Sequence, residues 1–404
     1  MAQAQWRCPL PERHSSLAAY FGWRRVGLRI GIDAEPLSAP CAGIPRFVSN
    51  IVRELERIDH ENLYYLYSRH DFALPFANIR WQKRIHPRVP VVLGSPYLRR
   101  DARRPGLDLF WATRSAFPVG LPPAVTRVLT VHDLVWRICP ETMALRNHLV
   151  HRLLGSASLR RADWIMTVSE ATRRGLVEVL GSRAERISVV YHGVDPSFAP
   201  QDKSGSARHI AQQYSASENY ICTLGTIEPR KNLITLVRAM KILRERGDFP
   251  YQLLIGGQSG WRNAEIYASV RKCGLTEHEV KFVGPVREED LPAFYSGSAL
   301  FVFPSLYEGF GLPLVEAMAC GVPIVASNVS SVPEVVRDAA VLVPPEHPED
   351  FAQAIFRVAS DSHLREDLVR KGLHRALDFR WETAAQKVLG AFIEISRLRA
   401  EVIG

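Results

Sequence analysis

The sequence predicts an α/β protein of two doubly wound domains, each built on a parallel sheet. Three observations lead to this prediction. The chain has 404 residues, more than a single hydrophobic core usually serves. Short runs of Val, Ile and Leu alternate with stretches of helical spacing, as buried parallel strands and their covering helices do. The alternation stops in a polar stretch at residues 199–219 and then starts again.

The first half of the chain contains the elements of one such domain. An apolar, β-branched run at residues 26–37 predicts the first strand, and apolar residues at helical spacing in residues 43–58 predict the next helix. Further strands are predicted from the runs YYLYS, VVLG, LDLFWA, RVLTVHDL, DWIMTVSE and ISVVYHGVD. We assign residues 1–27 to an N-terminal extension and residues 28–200 to the first domain.

The second half repeats the pattern. Its strands are predicted from YICTLG, YQLLIGG, VKFVGPV, ALFVFPS, VPIVAS and AAVLVPP, with helical segments between and after them. Residues 201–218 are assigned to a linker, residues 219–380 to the second domain and residues 381–404 to a C-terminal helix, for which packing against the first domain is one option. Sheets of this kind bind ligands at the carboxyl ends of their strands.

Composition and charge restrict the setting of the protein. The six cysteines form no CxxC pair and no window resembles a membrane span or a cleavable signal, so a cytoplasmic protein with reduced thiols is expected. Residues 1–200 carry 28 Lys and Arg against 17 Asp and Glu, whereas the rest of the chain carries 23 against 25. The basic half favours a polyanion or an anionic membrane surface as neighbour, or else is a solvated face.

A candidate ligand cradle follows the strand ALFVFPS. The stretch SLYEGFGLPLVEAMACG places a carboxylate, Glu308, before a glycine-rich loop and a second one, Glu316, in the helix that begins near Pro313. Gly309 and Gly311 leave backbone N–H groups uncovered at the start of that helix, which suits phosphate oxygens. Sugar or ribose hydroxyls would satisfy the two acids, although a tight turn with a surface acid is the simpler alternative.

A pair of cations is predicted on the same rim. GTIEPRKNL leaves the first strand of the second domain, so Arg230 and Lys231 stand at that strand's carboxyl end. A guanidinium fork beside an ammonium group suits a diphosphate and can neutralise a phosphate leaving group. Alone, these residues would be a solvated charge pair at a helix start, but the neighbouring cradle favours the functional interpretation.

With these motifs the chain resembles the family-four glycosyltransferases, retaining enzymes of the GT-B fold, and most of all their bacterial mannosyltransferase-like members. The shared motifs are GIPRFVSNIVREL, VSEATRRGL, VVYHGVD, GTIEPRKN and EGFGLPLVE, and the resemblance covers about residues 28–395. It implies two facing Rossmann-like domains with the active site in the cleft between them. The first domain would bind the acceptor and the second the nucleotide sugar.

The resemblance assigns roles to residues of the second domain. Glu316 would accept hydrogen bonds from the ribose, and Glu308 from the transferred sugar. Arg230 and Lys231 would stabilise the departing diphosphate. The cradle assigned to sugar and phosphate consists of Gly309 and the amides of Phe310, Gly311 and Leu312. The base would lie near residues 282–286, with Val283 as its marker.

In the first domain the resemblance implies fewer residues. The Gly43 loop would approach the diphosphate, and His132 would reach the donor sugar or the acceptor, although a histidine that ends a buried strand is often structural. Relatives commonly have Gly-Ile-Gly-Arg where this chain has proline at position 45, which lacks an N–H. The loop's contribution to phosphate binding is therefore less certain, and Asp133 and Arg46 are assigned on the same weaker ground.

The expected reaction transfers a hexose to a hydroxyl of a polysaccharide or lipid-linked oligosaccharide. The resemblance favours GDP-mannose or a GDP-deoxyhexose as donor, with UDP- and dTDP-sugars as alternatives. The chain has no Asp-x-Asp motif. We therefore expect no metal and no cofactor, with Arg230, Lys231 and the helix N-terminus in the metal's place. The rival classes are a phosphorylase, a sugar-nucleotide epimerase and, least of all, a basic nucleic-acid-binding module.

Overall fold

The structure, a computed structural model, describes residues 27–39, 43–87, 96–101, 103, 106–114, 116–143, 148–149, 151–181 and 184–403. The N-terminal extension through residue 26 and the run VVLG lie outside the described residues. Within them the chain forms two α/β domains with parallel sheets, which confirms the predicted fold class.

The first domain is built on a seven-stranded sheet of parallel strands. In chain order, β1 to β7 are Arg29–Asp33, Leu63–Ser68, Trp81–Ile85, Leu109–Ala112, Thr126–Val131, Trp164–Thr167 and Ile187–Val189. Their order across the sheet is β3-β2-β1-β4-β5-β6-β7. Both faces are buried, because Val128 packs into one apolar cluster and its neighbour Leu129 into another.

Helices cover this sheet. In chain order, α1 to α5 are Ile44–Ile58, Pro96–Asp101, Val135–Ile138, Ser156–Arg161 and Glu170–Leu180. The helix α1 presents Phe47, Ile51 and Leu55 to the core at helical spacing. Ser169 is the N-cap of α5, and its hydroxyl accepts the Thr172 N–H at 3.0 Å. Short 3-10 turns occupy Glu35–Ser38, Pro140–Thr142 and Ala184–Arg186, and a π-helical turn occupies His151–Gly155.

The second domain repeats this plan around six parallel strands. The strands β8 to β13 are Tyr220–Leu224, Gln252–Gly256, Val280–Gly284, Phe301–Phe303, Ile324–Ser327 and Ala340–Val343. They lie in the order β10-β9-β8-β11-β12-β13. The helices α6 to α13 are Lys203–Tyr214, Leu233–Glu245, Ala264–Lys272, Leu291–Ser296, Leu312–Ala319, Val332–Val336, Pro348–Ser360 and Ser362–Ala376. Further 3-10 turns lie at Pro229–Lys231 and Glu288–Asp290.

The segment expected as a linker contains a helix. Residues 203–214 form α6, and its buried residues Ala207 and Ile210 belong to the core of the second domain. Asp202 begins this helix by accepting the Gly205 N–H at 2.7 Å. The segment is therefore polar because it forms a helix that buries only one narrow face.

The chain ends in a long helix that returns to the first domain. This helix, α14, spans Trp381–Ile403. Trp381, Val388 and Phe392 join the cluster that contains Phe47 and Ile51 of α1. The C-terminal helix thus packs on the domain that begins the chain.

Candidate active site

The functional side chains lie where strands end, on the rims of the two sheets that face each other. In the second domain, Arg230 and Lys231 follow β8, and Glu308 follows β11. In the first domain, His132 follows β5 directly. Parallel strands present their carboxyl ends at one edge, so each domain contributes one rim to the cleft.

Glu308 contacts both predicted cations. Its Oε2 lies 2.9 Å from Arg230 Nη1, and its Oε1 lies 2.5 Å from Lys231 Nζ. Burial alone would raise the pKa of Glu308, but Arg230 and Lys231 outweigh it and lower the pKa to about 2. Burial lowers the pKa of Lys231, and Glu308 opposes that shift. The cluster therefore consists of two cations and a carboxylate that are preorganised beside the glycine loop.

A second carboxylate, Glu228, completes the cluster and was not predicted. Its Oε1 accepts from Arg230 Nη2 at 2.7 Å, and only 2% of the residue is exposed. Burial raises its pKa, against the opposing effect of Arg230 and Lys231. Arg230 is thus held between two acids, with Nη1 also 2.8 Å from the Tyr307 carbonyl oxygen. Glu228 belongs to the motif GTIEPRKN, but its burial could not be predicted from the sequence.

The glycine loop has the backbone geometry expected of a cradle. Gly311 precedes α10 with φ 96°, a conformation that favours glycine. Leu312 opens the helix, Pro313 has no N–H, and the Leu314 N–H donates to the Gly311 carbonyl oxygen at 2.9 Å, so the amides that the loop can offer a ligand are those up to Leu312. Hydroxyl groups of Ser330 and Ser331 hold the loop by contacting the Glu308 N–H at 2.9 Å and its carbonyl oxygen at 3.0 Å.

Glu316 lies inside α10 and pairs with an arginine from the other domain. Arg46 Nη1 contacts its Oε1, and the Tyr295 hydroxyl donates to its Oε2 at 2.9 Å. Arg46 Nη2 reaches Glu288 at 2.9 Å. Burial raises the pKa of Glu316, and Arg46 and Tyr295 oppose that rise. Glu316, the acid assigned to the ribose, thus contacts Arg46, which the resemblance supported less strongly.

In the first domain, His132 is buried and neutral in character. Its Nε2 lies 2.9 Å from the Thr113 carbonyl oxygen, and burial lowers its pKa. The two domains approach closely here, because a Cβ added to Gly309 would come within 1.9 Å of the His132 carbonyl oxygen. Gly309 is therefore needed for this contact whatever it does for a phosphate.

The remaining predicted residues occupy the same rims or the sheet beneath them. Gly43 caps α1 with φ 53°, and a Cβ there would meet nothing within 4 Å. Asp133 Oδ1 accepts the Val135 N–H at 3.1 Å. Val283 lies in β10, and the ring of Phe310 belongs to the second-domain core.

His192, in VVYHGVD, is a further polar group that sequence reasoning passed over. Only 6% of it is exposed, and neither ring nitrogen has a hydrogen-bond partner. Its ring lies 4.7 Å from Phe310 and 4.9 Å from Phe47, measured between centroids. Burial lowers its pKa well below the usual value, and His132 adds to that effect. The motif includes this position, but the sequence does not show that residues of both domains enclose the ring.

Two kinds of feature are absent from the part of the chain that the structure describes. In those residues no group of three or more His, Cys, Asp or Glu is arranged to hold a metal ion. No helix there combines the length and apolar character needed to cross a bilayer.

Comparison with known proteins places the chain among relatives of the same architecture. Residues 42–198 match the family model described as Glycosyltransferase Family 4, and residues 208–375 match Glycosyl transferases group 1. O-antigen chain mannosyltransferase B of Escherichia coli is 30% identical over 388 residues, which are 90% of this chain and 99% of that relative. The serotype-specific mannosyltransferase WbdA of Escherichia coli is 29% identical over 69% of this chain, which spans 36% of WbdA.

Solved structures share the fold at low identity. A glycosyltransferase from Rickettsia africae ESF-5 has a TM-score of 0.70 at 16% identity, covering 91% of this chain and 98% of its own. HepE of Anabaena, in complex with UDP and glucose, has a TM-score of 0.69 at 19% identity, covering 90% and 98%. The two parallel-sheet domains therefore have the GT-B fold, and the family models identify the chain as a glycosyltransferase. The chain belongs to the family-four glycosyltransferases, in their bacterial mannosyltransferase-like group.

Proposed function

We propose that this glycosyltransferase moves mannose from GDP-mannose, with retention, to a hydroxyl of a growing, lipid-linked O-antigen-type glycan. The observation that carries the proposal is the cluster in which Glu308 contacts Arg230 and Lys231 beside the glycine loop. It combines a carboxylate for sugar hydroxyls with two cations for a diphosphate. The relative named an O-antigen chain mannosyltransferase, similar over nearly its full length, supports the sugar and the acceptor.

The proposed reaction breaks the bond between the anomeric carbon and the β-phosphate oxygen. Arg230, Lys231 and the glycine-loop amides as far as Leu312 stabilise the negative charge that grows on the diphosphate. The acceptor hydroxyl attacks the anomeric carbon on the face that the phosphate leaves. Its proton passes to a phosphate oxygen, so the products are the glycoside and the protonated nucleoside diphosphate.

In this scheme the two acids divide the donor between them. Glu308, ionised because its pKa is about 2, accepts hydrogen bonds from the transferred sugar. Glu316 accepts from the ribose and shares its oxygens with Arg46 and Tyr295. The Gly43 loop would approach the diphosphate from the first domain, and the acceptor would lie against the same rim near His132.

The donor is tested first by thermal shift with GDP, UDP, dTDP and ADP. A nucleotide at about 100 times its dissociation constant adds about 2.7 kcal/mol to the free energy of unfolding. We expect GDP to give the largest shift and GDP-mannose to give transfer that retains the anomeric configuration. A larger shift with UDP or dTDP, and transfer from the matching sugar, would overturn the proposed donor.

Metal independence is tested on the same reaction. We expect EDTA to leave transfer unchanged, because Arg230 and Lys231 already compensate the charge of the leaving group. Loss of transfer with EDTA and its recovery with Mg²⁺ would contradict this part of the proposal.

We also propose peripheral contact with an anionic membrane surface through the first domain. The excess of basic residues in the first half of the chain supports it. So do Leu149 and Leu153, which are 54% and 68% exposed beside Arg152.

Vesicle flotation tests this contact. We expect binding to anionic vesicles at about 0.05 M salt, much less at about 0.5 M, and none to neutral vesicles. Leu153→Asp should weaken the binding, whereas Leu377→Asp, at a 62% exposed position of the second domain, should not. Binding that ignores lipid charge and salt would refute the electrostatic account, and no binding would favour a soluble acceptor.

A further inference from the structure

A carboxylate of the second domain caps a helix of the first. Glu334, in α11, accepts the Glu170 N–H on Oε1 and the Ala171 N–H on Oε2, both at 2.8 Å. These amides open α5, where the helix dipole favours negative charge. Charge-assisted bonds of this kind are about twice as strong as neutral ones. The side chain of Glu334 is 16% exposed, so water screens the contact little.

The start of the same short helix holds the glycine loop. The Ser331 hydroxyl, at the N-terminus of α11, lies 3.0 Å from the carbonyl oxygens of both Glu308 and Phe310. The preceding Ser330 accepts the Glu308 N–H at 2.9 Å. The backbone around Glu308 is therefore tied to α11 at three atoms.

The helix α11 is itself fixed in place. Val332, Val335 and Val336 are fully buried in the second-domain core. Arg375 of α13 donates to the Val335 carbonyl oxygen at 2.9 Å and to the Glu334 carbonyl oxygen at 2.8 Å. Contacts at the start and at the end of α11 therefore fix its position.

We propose that Glu334 is a positioning residue that sets the register between the glycine loop and the first-domain rim during glycosyl transfer. The path runs from Ser331 at the loop, through α11, to Glu334 and the first turn of α5. It fixes how far Glu308 lies from His132 and the acceptor side. Apart from the Gly43 loop and Arg46, the groups assigned to the nucleotide lie in the second domain, so we expect nucleotide binding to depend little on this path.

The contact can be removed from either partner. Glu334→Gln leaves one acceptor oxygen for two N–H groups. Glu170→Pro removes the N–H that Oε1 receives, and proline suits the first helical position after Ser169, whose extended backbone has φ −157° and ψ 157°. Glu170→Ala is the matched control, because it deletes the same side chain and keeps the N–H.

The first measurement is hydrogen–deuterium exchange, which needs no sugar. We expect faster exchange of the amides at 170 and 171 in Glu334→Gln than in the wild type. Exchange that does not change would mean that the contact does not protect these amides in solution, and would overturn the proposal.

The second measurement separates binding from turnover, and it rests on the proposed use of the glycine loop for a nucleotide sugar. We expect kcat to fall about tenfold or more in Glu334→Gln and Glu170→Pro, since misplacement of reacting groups costs rate steeply. The GDP dissociation constant should stay within about twofold, and Glu170→Ala should keep its turnover within about twofold. If GDP-mannose is not the donor, the nucleotide sugar found by thermal shift replaces it, so failure of the donor proposal is seen separately.

Two results would refute the positioning role. One is wild-type kcat in Glu334→Gln and Glu170→Pro together with faster exchange, which would make the contact purely structural. The other is an equal loss of turnover in Glu170→Ala and Glu170→Pro, which would assign the effect to the side chain of Glu170. If Glu334→Gln fails to fold, the Pro and Ala pair at position 170 decides between these outcomes.

Discussion

In the second-domain half of the cleft, Glu308 contacts both Arg230 and Lys231, and Glu228 holds Arg230 from the other side. The first-domain half instead contains His132 and His192, two buried imidazoles whose pKa values burial lowers. The cluster around Glu308 keeps its groups charged by pairing them, whereas burial keeps the two imidazoles neutral.

This difference matches the two substrates of a glycosyltransferase. The donor leaves as a diphosphate, so the half that binds it needs fixed charges where negative charge grows. The acceptor is a hydroxyl, for which neutral hydrogen-bonding groups suffice. The first-domain half also contains charges, because Arg114 pairs with Asp33 at 3.0 Å and the Arg46 guanidinium contacts Glu316 of the second domain.

The largest effect is expected from removing a charge in the donor half. Arg230→Ala should lower turnover by about a hundredfold or more, as loss of one transition-state donor typically does. Arg238→Ala, at an exposed position of α7, is the control and should keep wild-type turnover. Steady-state kinetics with saturating donor measures both. Comparable turnover in the two variants would remove the charged cluster from the mechanism.

A smaller effect should separate the two acids within that half. Glu316→Ala should weaken GDP binding about tenfold or more, because hydrogen bonds to a charged group are worth about 1.5–3 kcal/mol. Glu308→Ala should spare GDP binding and lower transfer, because its partner is the sugar. Calorimetry with GDP on both variants provides the comparison. An equal loss of affinity would show that the acids do not divide the donor.

The smallest effect is expected in the first-domain half and concerns stability. The folded-state pKa of His192 is lowered, so the unfolded chain binds a proton there that the folded protein refuses. Stability is therefore fully present above the unfolded pKa, about 6.5, and falls as the pH drops below it, by at most about 1.4 kcal/mol per pH unit.

Phenylalanine at this position should remove that loss, because His192→Phe keeps an aromatic ring beside Phe47 and Phe310. Urea unfolding at about pH 7.5 and 5.5 should show a difference of about 1 kcal/mol between the pH responses of wild type and variant. His278→Ala, at an exposed position, should respond like the wild type. The same pH response in His192→Phe and the wild type would show that His192 does not stay neutral.

The local sequence pattern was enough to predict most strands of the two sheets. It also predicted that Glu308 and Glu316 flank the glycine loop. The strands β5, β8 and β11 appear as continuous apolar runs, because a parallel strand is buried on both faces. The edge strand β3 is an exception to this rule. The strand β3, with the sequence WQKRI, buries Trp81 and exposes charged residues, so it was not predicted.

Contacts between distant residues could not be predicted. Arg46 and Glu316 are 270 positions apart and meet only because the domains face each other. Glu170 and Glu334 are likewise far apart in sequence, separated by 164 positions. Glu228 was visible in its motif, but its burial depends on the packing of the strand ends around it.

The return of α14 has a consequence for how the protein is made. The first domain precedes the second in the sequence, yet its core includes Trp381, Val388 and Phe392, which the ribosome adds only after the second domain. While the ribosome is still adding these residues, the first domain lacks one wall and exposes Phe47 and Ile51. The second domain, whose core is complete before α14, can therefore fold first although it is encoded second.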